Sequence, residues 1–395
     1  MQNQNKSHTR ERHARSHYYK RYINLLGSFF IVLIIIVPLI TLISPDAKLS
    51  ETENRILTQF PRFSIDSVTD GRYMKKMEKY AADQLIGRNF WIHTKTNSDR
   101  VIGKNISNGV YLGKDSTLIE NFDPLPTEDI DKTKTALNRF VEKHPELNHY
   151  FMLVPNAISI YQDKLPLGAP VMDQNQYIDS FTSGLNEKTV ILDPRPILKE
   201  NTNQLLYYKT DHHWTTLGAW LSFQSVSGAM GITPNPDAYS VYPVTQSFSG
   251  ALVSKSGYSI NNTDTIEVYI PKSEEDYSVV NYMEEQRKSP SLYASEQLTG
   301  KDKYAVFLDG NHPLVTIKTP VNNSKNLLVI KDSYANAFIP FLTPFYSEII
   351  VIDPRYYYNS IETLIADYDI TDVLYLYNAN TFFRDTSLEP VLNDE

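Results

Sequence analysis

In the stretch "KTDHHWT", Asp211, His212 and His213 stand side by side, followed by Trp214. One carboxylate and two imidazoles at this spacing allow two chemistries. A carboxylate that accepts the Nδ1 proton of a histidine fixes the ring's tautomer and leaves Nε2 to draw a proton from a hydroxyl. Histidines with a carboxylate also ligate zinc. A structural turn is the third alternative. If the stretch is extended, residues two apart share a face, so Asp211 pairs with His213 while His212 points elsewhere. Adjacent histidines then do not easily close on one tetrahedral ion. His312 and Asp193 are conceivable further ligands, but no HExxH-like or CxxC-like spacing joins them, and no metal site is expected.

A histidine base needs a nucleophile. The chain has no cysteine, which leaves hydroxyls. Ser333, in "LLVIKDSYANAFIPFL", falls where an apolar strand runs into an expected helix. A helix N-terminus there offers unpaired N–H groups and a positive dipole to a developing oxyanion. The competing explanation for a serine in this position is an N-cap.

The elements that must position these residues show in the apolar periodicity. Residues 71–106 read as helical, "GVYLGKDSTLIE" as a short hairpin, and "TEDIDKTKTALNRFVEKH" as an amphipathic helix with acids in its first turn. Beyond it, the apolar runs "HYFMLVPN", "KTVILDP", "NLLVIKDS", "EIIVIDPR" and "DVLYLYN" alternate with helical stretches, among them "TTLGAWLSFQSVSGAMG", "YANAFIPFL" and "NSIETLIADYD". That alternation predicts an α/β fold, a parallel sheet flanked by helices. Residues 233–303 are polar with irregular strands and read as an insertion. Ligands of open α/β sheets sit beyond the strands' carboxyl ends. The residues there are Asn156, Asp193, Ser333, Arg355 and Asn378.

Residues 23–43 are uncharged, overwhelmingly apolar and long enough to cross a bilayer core of about 30 Å. The preceding tail, residues 1–22, holds six Lys and Arg and a single Glu, which places it in the cytoplasm and the rest of the chain outside. The apolar run is too long for a cleaved signal core, and no small-x-small site follows, so an uncleaved anchor is expected. Residues 44–395 carry 32 Lys and Arg against 45 Asp and Glu, an acidic balance that argues against nucleic acid as a partner. Residues 44–110 read as a polar stalk with a helical segment, and 111–395 as the extracytoplasmic domain. The 27 tyrosines suit a sugar-handling surface or ordinary strand composition equally.

"TDHHWT" with "VIKDSYANAFIPFL", and also "ENRILTQFP", "GVYLGKDSTLIE", "FLDGNHP" and "VIDPRYY", resembles the recurring blocks of the DHHW protein family. That family is in turn similar to SGNH-hydrolase-like alginate O-acetyltransferase proteins. The resemblance implies an SGNH-like α/β fold and a triad of Asp211 as orienting group, His213 as base and Ser333 as nucleophile. It further implies acyl transfer to hydroxyls of an exported polysaccharide or wall polymer. No cofactor is expected; the acyl group comes from a small ester or is delivered by a membrane-bound O-acyltransferase partner. The order of blocks is reversed relative to ordinary SGNH enzymes, and Lys331 stands where their glycine would be. Asn156, Gly310 and Asn311 are candidates for the oxyanion hole, while Arg355 and Asn378 are candidates for binding the acceptor. The rival expectations are a non-catalytic glycan-binding or assembly protein and a metal-dependent hydrolase.

Overall fold

The computed structural model describes residues 2–50, 55–258, 260–273 and 277–393; part of the expected stalk, 51–54, lies outside the described residues. The chain divides into two compact units, Met1–Lys95 and Thr96–Glu395.

The first unit begins with helix α1 (Gln2–Ile43), whose stretch Tyr19–Ile43 is long and apolar enough to cross a membrane. The helical segment expected over 71–106 is two helices, α2 (Arg72–Gln84) and α3 (Arg88–Val101). They part at Gly87, whose φ of +65° is open to glycine at no steric cost.

In the second unit the hairpin forms as expected, with Val110–Leu112 paired antiparallel to Leu118–Glu120. Helix α4 (Thr127–Lys143) leads into an eight-stranded sheet made of β1 (Asn148–Val154), β2 (Thr189–Ile191), β3 (Val279–Tyr282), β4 (Arg287–Ser289), β5 (Leu314–Lys318), β6 (Asn326–Lys331), β7 (Glu348–Ile352) and β8 (Asp372–Asn378). Their spatial order is β4-β3-β5-β7-β6-β8-β1-β2. The run from β7 to β2 is parallel, as the continuous apolar strands require; β8 is buried along its length and β6 from Leu327 onward. The other edge is not parallel: β5, β3 and β4 add antiparallel strands. Two of these come from the segment read as an insertion, so part of 233–303 is integral to the sheet. Helices α5 (Gln174–Thr182), α6 (Thr216–Val226) and α7 (Ile361–Asp367) accompany the strands. Apolar side chains of both layers merge in one core.

Register sets the site. Ile330 of β6 pairs with Ile352 of β7, and Ser333 and Arg355 each follow three residues later. Asn378 at the end of β8 pairs with Val154, two residues before Asn156. The residues picked from strand ends therefore share one rim.

Candidate active site

The helix expected over "YANAFIPFL" is instead two 3₁₀ turns, Ser333–Ala337 and Ile339–Phe341. Pro340 lacks the N–H that a continuing α-helix needs. The cap at this turn is Asp332: its Oδ1 accepts from Tyr334 N–H at 2.9 Å and its Oδ2 from Asn378 N–H at 2.9 Å and Nδ2 at 2.6 Å. Burial pushes the Asp332 carboxyl up to about 6. Because Asp332 does the capping, the hydroxyl of Ser333 is free for another partner. Lys331 and Asp332 on one side and Tyr334 to Ala337 on the other are buried, and Ser333 alone in this run is partly open.

The "KTDHHW" stretch is not extended. Tyr207 and Trp214 form an antiparallel bridge and the residues between them bend. Asp211 Oδ1 accepts both the backbone N–H of His213 at 3.0 Å and its ring Nδ1–H at 2.6 Å, and Oδ2 accepts from Ala251 N–H at 2.7 Å. Since an ionised carboxylate can only accept, Nδ1 carries the proton and Nε2 is the basic nitrogen. That nitrogen lies 2.8 Å from Ser333 Oγ. Geometry thus links Asp211, His213 and Ser333 in one hydrogen-bonded chain.

The bend also overturns the expectation that His212 points away. Its ring centroid lies 4.0 Å from that of His213, while Tyr304 stacks on His213 at 3.7 Å and 10°. Two rings cannot share one face at these distances, so they clamp the imidazole from both sides. Tyr304 also donates to Ser333 O at 3.3 Å. Trp214, fully buried, donates from Nε1 to Tyr334 O at 3.0 Å and ties the bend to the serine turn.

Burial pushes the Asp211 carboxyl up, but the charges of His212 and His213 and the N–H groups donated to it outweigh that and hold it below the usual range. Burial, aided by the charges of His212 and Arg355, pushes His213 down to about 4 against the pull of Asp211. His213 is therefore neutral, and competent as a base, throughout the neutral range. Activity that depends on this base is expected to be flat near neutrality and to fall as pH drops through about 4. A kcat/KM profile on an acetyl ester checks this; an acidic limb near the ordinary histidine value of about 6.5 would contradict it.

Several positioning residues left no signal in the sequence. Asp264 accepts from Lys209 N–H at 3.0 Å, Thr210 N–H at 2.8 Å and Thr210 Oγ1–H at 2.5 Å, pinning the start of the bend. A Cβ at Gly250 would fall 2.3 Å from Asp211 Cβ and 2.7 Å from its Cα, so only glycine lets the backbone approach close enough for Ala251 to reach the carboxylate. Gly250, Ala251 and Asp264 all belong to the presumed insertion, which is in fact the wall that holds Asp211. Tyr304 follows directly after it.

The oxyanion and acceptor candidates separate. Asn156 Nδ2 donates to Tyr334 Oη at 3.1 Å and Asn378 Oδ1 at 3.0 Å, and its Oδ1 accepts from Gln174 Nε2 at 3.1 Å and Asn380 N–H at 2.8 Å. Asn378 Nδ2 bonds Asp332 and Thr381. Both amides are buried and spent on the protein, a correction to their proposed binding roles: they brace the rim. Gly310 has also spent its N–H, on Phe307 O at 3.2 Å, and its carbonyl on Asn336 Nδ2 at 2.9 Å. Asn311 differs. Its Oδ1 accepts from Lys331 Nζ at 2.8 Å and from Asn336 Nδ2 at 3.3 Å, which fixes the amide and leaves Nδ2 without a protein acceptor among the described residues. Lys331 is itself buried, 3.6 Å from Asp353, and burial pushes it down to about 8. Arg355 forms a fork with Asp353, Nε to Oδ1 at 2.8 Å and Nη2 to Oδ2 at 2.6 Å, and Nη1 likewise has no acceptor among the described residues.

Asp211, His212 and His213 offer ligand atoms within 4.8 Å of one another, so sequence adjacency is not the obstacle to a cation that it first suggests. The obstacle is that His213 has committed both nitrogens, to Asp211 and to Ser333. The further ligands considered are engaged elsewhere: Asp193 with Arg195, and His312 with Glu285 and Asp309 O.

A profile described as DHHW protein matches residues 138–352. Among solved structures, a DHHW family protein from Eubacterium siraeum DSM 15702 aligns with a TM-score of 0.64 at 24% identity, covering 73% of this chain and 96% of its own. A structure of Bacillus cereus PatB1 with a sulfonyl adduct aligns with a TM-score of 0.60 at 21% identity, covering 70% and 97%. A second PatB1 structure gives 0.59 at 23% identity, covering 69% and 97%. At these identities the likeness establishes a common fold. No curated protein matches the chain.

Proposed function

Because this chain belongs to the DHHW family, we propose that it is a serine-dependent O-acyltransferase or acetylesterase acting on hydroxyls of an exported polysaccharide or cell-wall polymer. The observation that carries the reading is the hydrogen-bonded chain from Asp211 through His213 to Ser333, with contacts of 2.6 and 2.8 Å.

In this mechanism Ser333 Oγ attacks the carbonyl carbon of an acyl donor while His213 Nε2 takes the hydroxyl proton. The tetrahedral oxyanion is met by the Ser333 N–H and by Asn311 Nδ2, a donor held in place by Lys331. Collapse expels the leaving alcohol, which receives the proton from His213, and leaves acyl-Ser333. A sugar hydroxyl then attacks, giving its proton to His213, and the serine is regenerated with the ester on the polymer; water in the same role makes the reaction hydrolytic. Asp211 stays ionised and stabilises the imidazolium in both halves. The donor is a small ester or is handed over by a membrane-bound O-acyltransferase. Within the stretch Tyr19–Ile43, residues 23–43 serve as the anchor, with the basic tail in the cytoplasm, residues 44–110 as the stalk and helical segment, and 111–395 as the extracytoplasmic domain.

The PatB1 structure carries a sulfonyl adduct, and sulfonyl electrophiles are captured by activated nucleophiles, which recommends trapping as the test. The full chain, incubated with a chromogenic acetyl ester, is expected to yield an acetylated peptide containing Ser333 by mass spectrometry. Absence of that adduct, together with normal polymer acetylation in cells carrying Ser333→Ala, would overturn the catalytic reading in favour of a glycan-binding role. Loss of activity on chelation, with stoichiometric metal in the purified protein, would favour the metal-dependent alternative.

A further inference from the structure

We infer that the start of α3 is seated in the bilayer interface where α1 ends, with Ile86, Phe90 and Trp91 lying against lipid. The inference rests on α1 crossing the membrane, as proposed above. Its depth is set by hydrogen bonds within the first unit. Ile86 N–H donates to Thr41 Oγ1 at 3.2 Å. Just beyond the helix end, the Gln84 side chain accepts from Ala47 N–H at 2.9 Å and donates to Ala47 O at 3.0 Å, and Tyr80 Oη donates to Asp46 Oδ1 at 2.9 Å. Thr41 stands two residues before the end of α1. The 25 residues of Tyr19–Ile43 rise about 37 Å, against a hydrocarbon core of about 30 Å, so a centred core ends close to Thr41. A residue bonded to the Thr41 hydroxyl therefore lies at the hydrocarbon boundary.

What sits at that boundary is apolar and uncovered. Ile86 is 40% exposed and Phe90, one helical turn on, is 64% exposed. Trp91 latches back on Ile86 O through Nε1 at 3.2 Å, and Phe90 meets its ring edge-on at 5.3 Å. The indole N–H is thus satisfied by the protein while the ring is only partly covered, which suits the aromatic belt of a membrane interface. Charge agrees with an anionic surface. Residues 44–95 hold nine Lys and Arg against seven Asp and Glu, whereas residues 96–395 hold 23 against 38. Lys75, Lys76 and Lys79 on α2 are all exposed. The membrane-proximal segment is thus net cationic, while the remainder of the chain after it is net acidic.

Tryptophan fluorescence reads this directly, since Trp214 is fully buried and Trp220 only 7% exposed, leaving half-buried Trp91 as the tryptophan most open to lipid. The full chain is reconstituted in vesicles of phosphatidylcholine and phosphatidylglycerol whose acyl chains carry bromine near the headgroup or near the methyl end. Shallow bromines are expected to remove up to roughly a third of the emission, the share of one tryptophan in three, and deep bromines less. Trp91→Phe is expected to abolish the quenching. Protein that floats with the vesicles yet keeps its full emission would overturn the inference. Protein that fails to float would overturn the membrane anchor itself, and the interfacial seat with it.

Discussion

Ser333→Ala is expected to lower acetyl-ester turnover by about 10⁴-fold or more while leaving the fold intact, as measured by steady-state kinetics alongside a thermal unfolding curve. On the proposed mechanism the loss is large because serine, histidine and aspartate act as one unit: without Oγ the base has no proton to take and no acyl-enzyme forms. The fold survives because the hydroxyl carries no structural load. Its hydrogen-bond partner is His213, and the turn is capped by Asp332 instead. His213 remains held by Asp211 and stacked against Tyr304. The residual rate expected of the variant is that of a site which still binds and polarises the ester. Activity within about tenfold of the parent would mean that the nucleophile is another group.

Asp211→Asn is expected to cost about 10⁴-fold in kcat near neutral pH, with little change in KM. Asp211 accepts three N–H groups, two from His213 and one from Ala251. An amide has only one accepting atom. If its oxygen faces His213, its NH₂ is driven against the Ala251 N–H; if it faces Ala251, the NH₂ faces His213 Nδ1 and forces the proton onto Nε2, the wrong nitrogen for a base. The side chain cannot swing aside, because the Gly250 backbone packs against it too closely to admit even a methyl group. The diagnostic is the split between kcat and KM: a merely structural defect would lower the melting temperature without selectively removing turnover from correctly folded protein.

Much of this molecule is legible one residue at a time, and the reason is locality. Apolar runs such as "LLVI", "EIIVI" and "VLYLY" are buried strands because a strand covered on both faces has no polar side to show, and the register that follows aligns Ser333 with Arg355. The Asp-x-His spacing and the serine at a strand end could be paired from residue chemistry, although 120 residues separate them. What the residues alone did not show is which polar side chains are already spent on bonds inside the protein. The strand-end position of Asn156 and Asn378 was read correctly, but not that Gln174, Tyr334, Asn380, Thr381 and Asp332 consume their amides.

Sequence by itself determined which residues are candidates for the chemistry, which segments alternate between strand and helix, and where an apolar helix long enough for a bilayer lies. Tertiary structure decided how those atoms are aimed. A bend, not a strand, brings His212 onto His213, because Asp211 bonds the backbone and the ring of the same histidine. A polar stretch with only irregular strands supplies Gly250, Ala251 and Asp264, which grip the carboxylate and the residues before it. Backbone propensity is set by a few adjacent residues and leaves a period to read. A hydrogen bond between side chains many residues apart costs one polar residue at each end and leaves none.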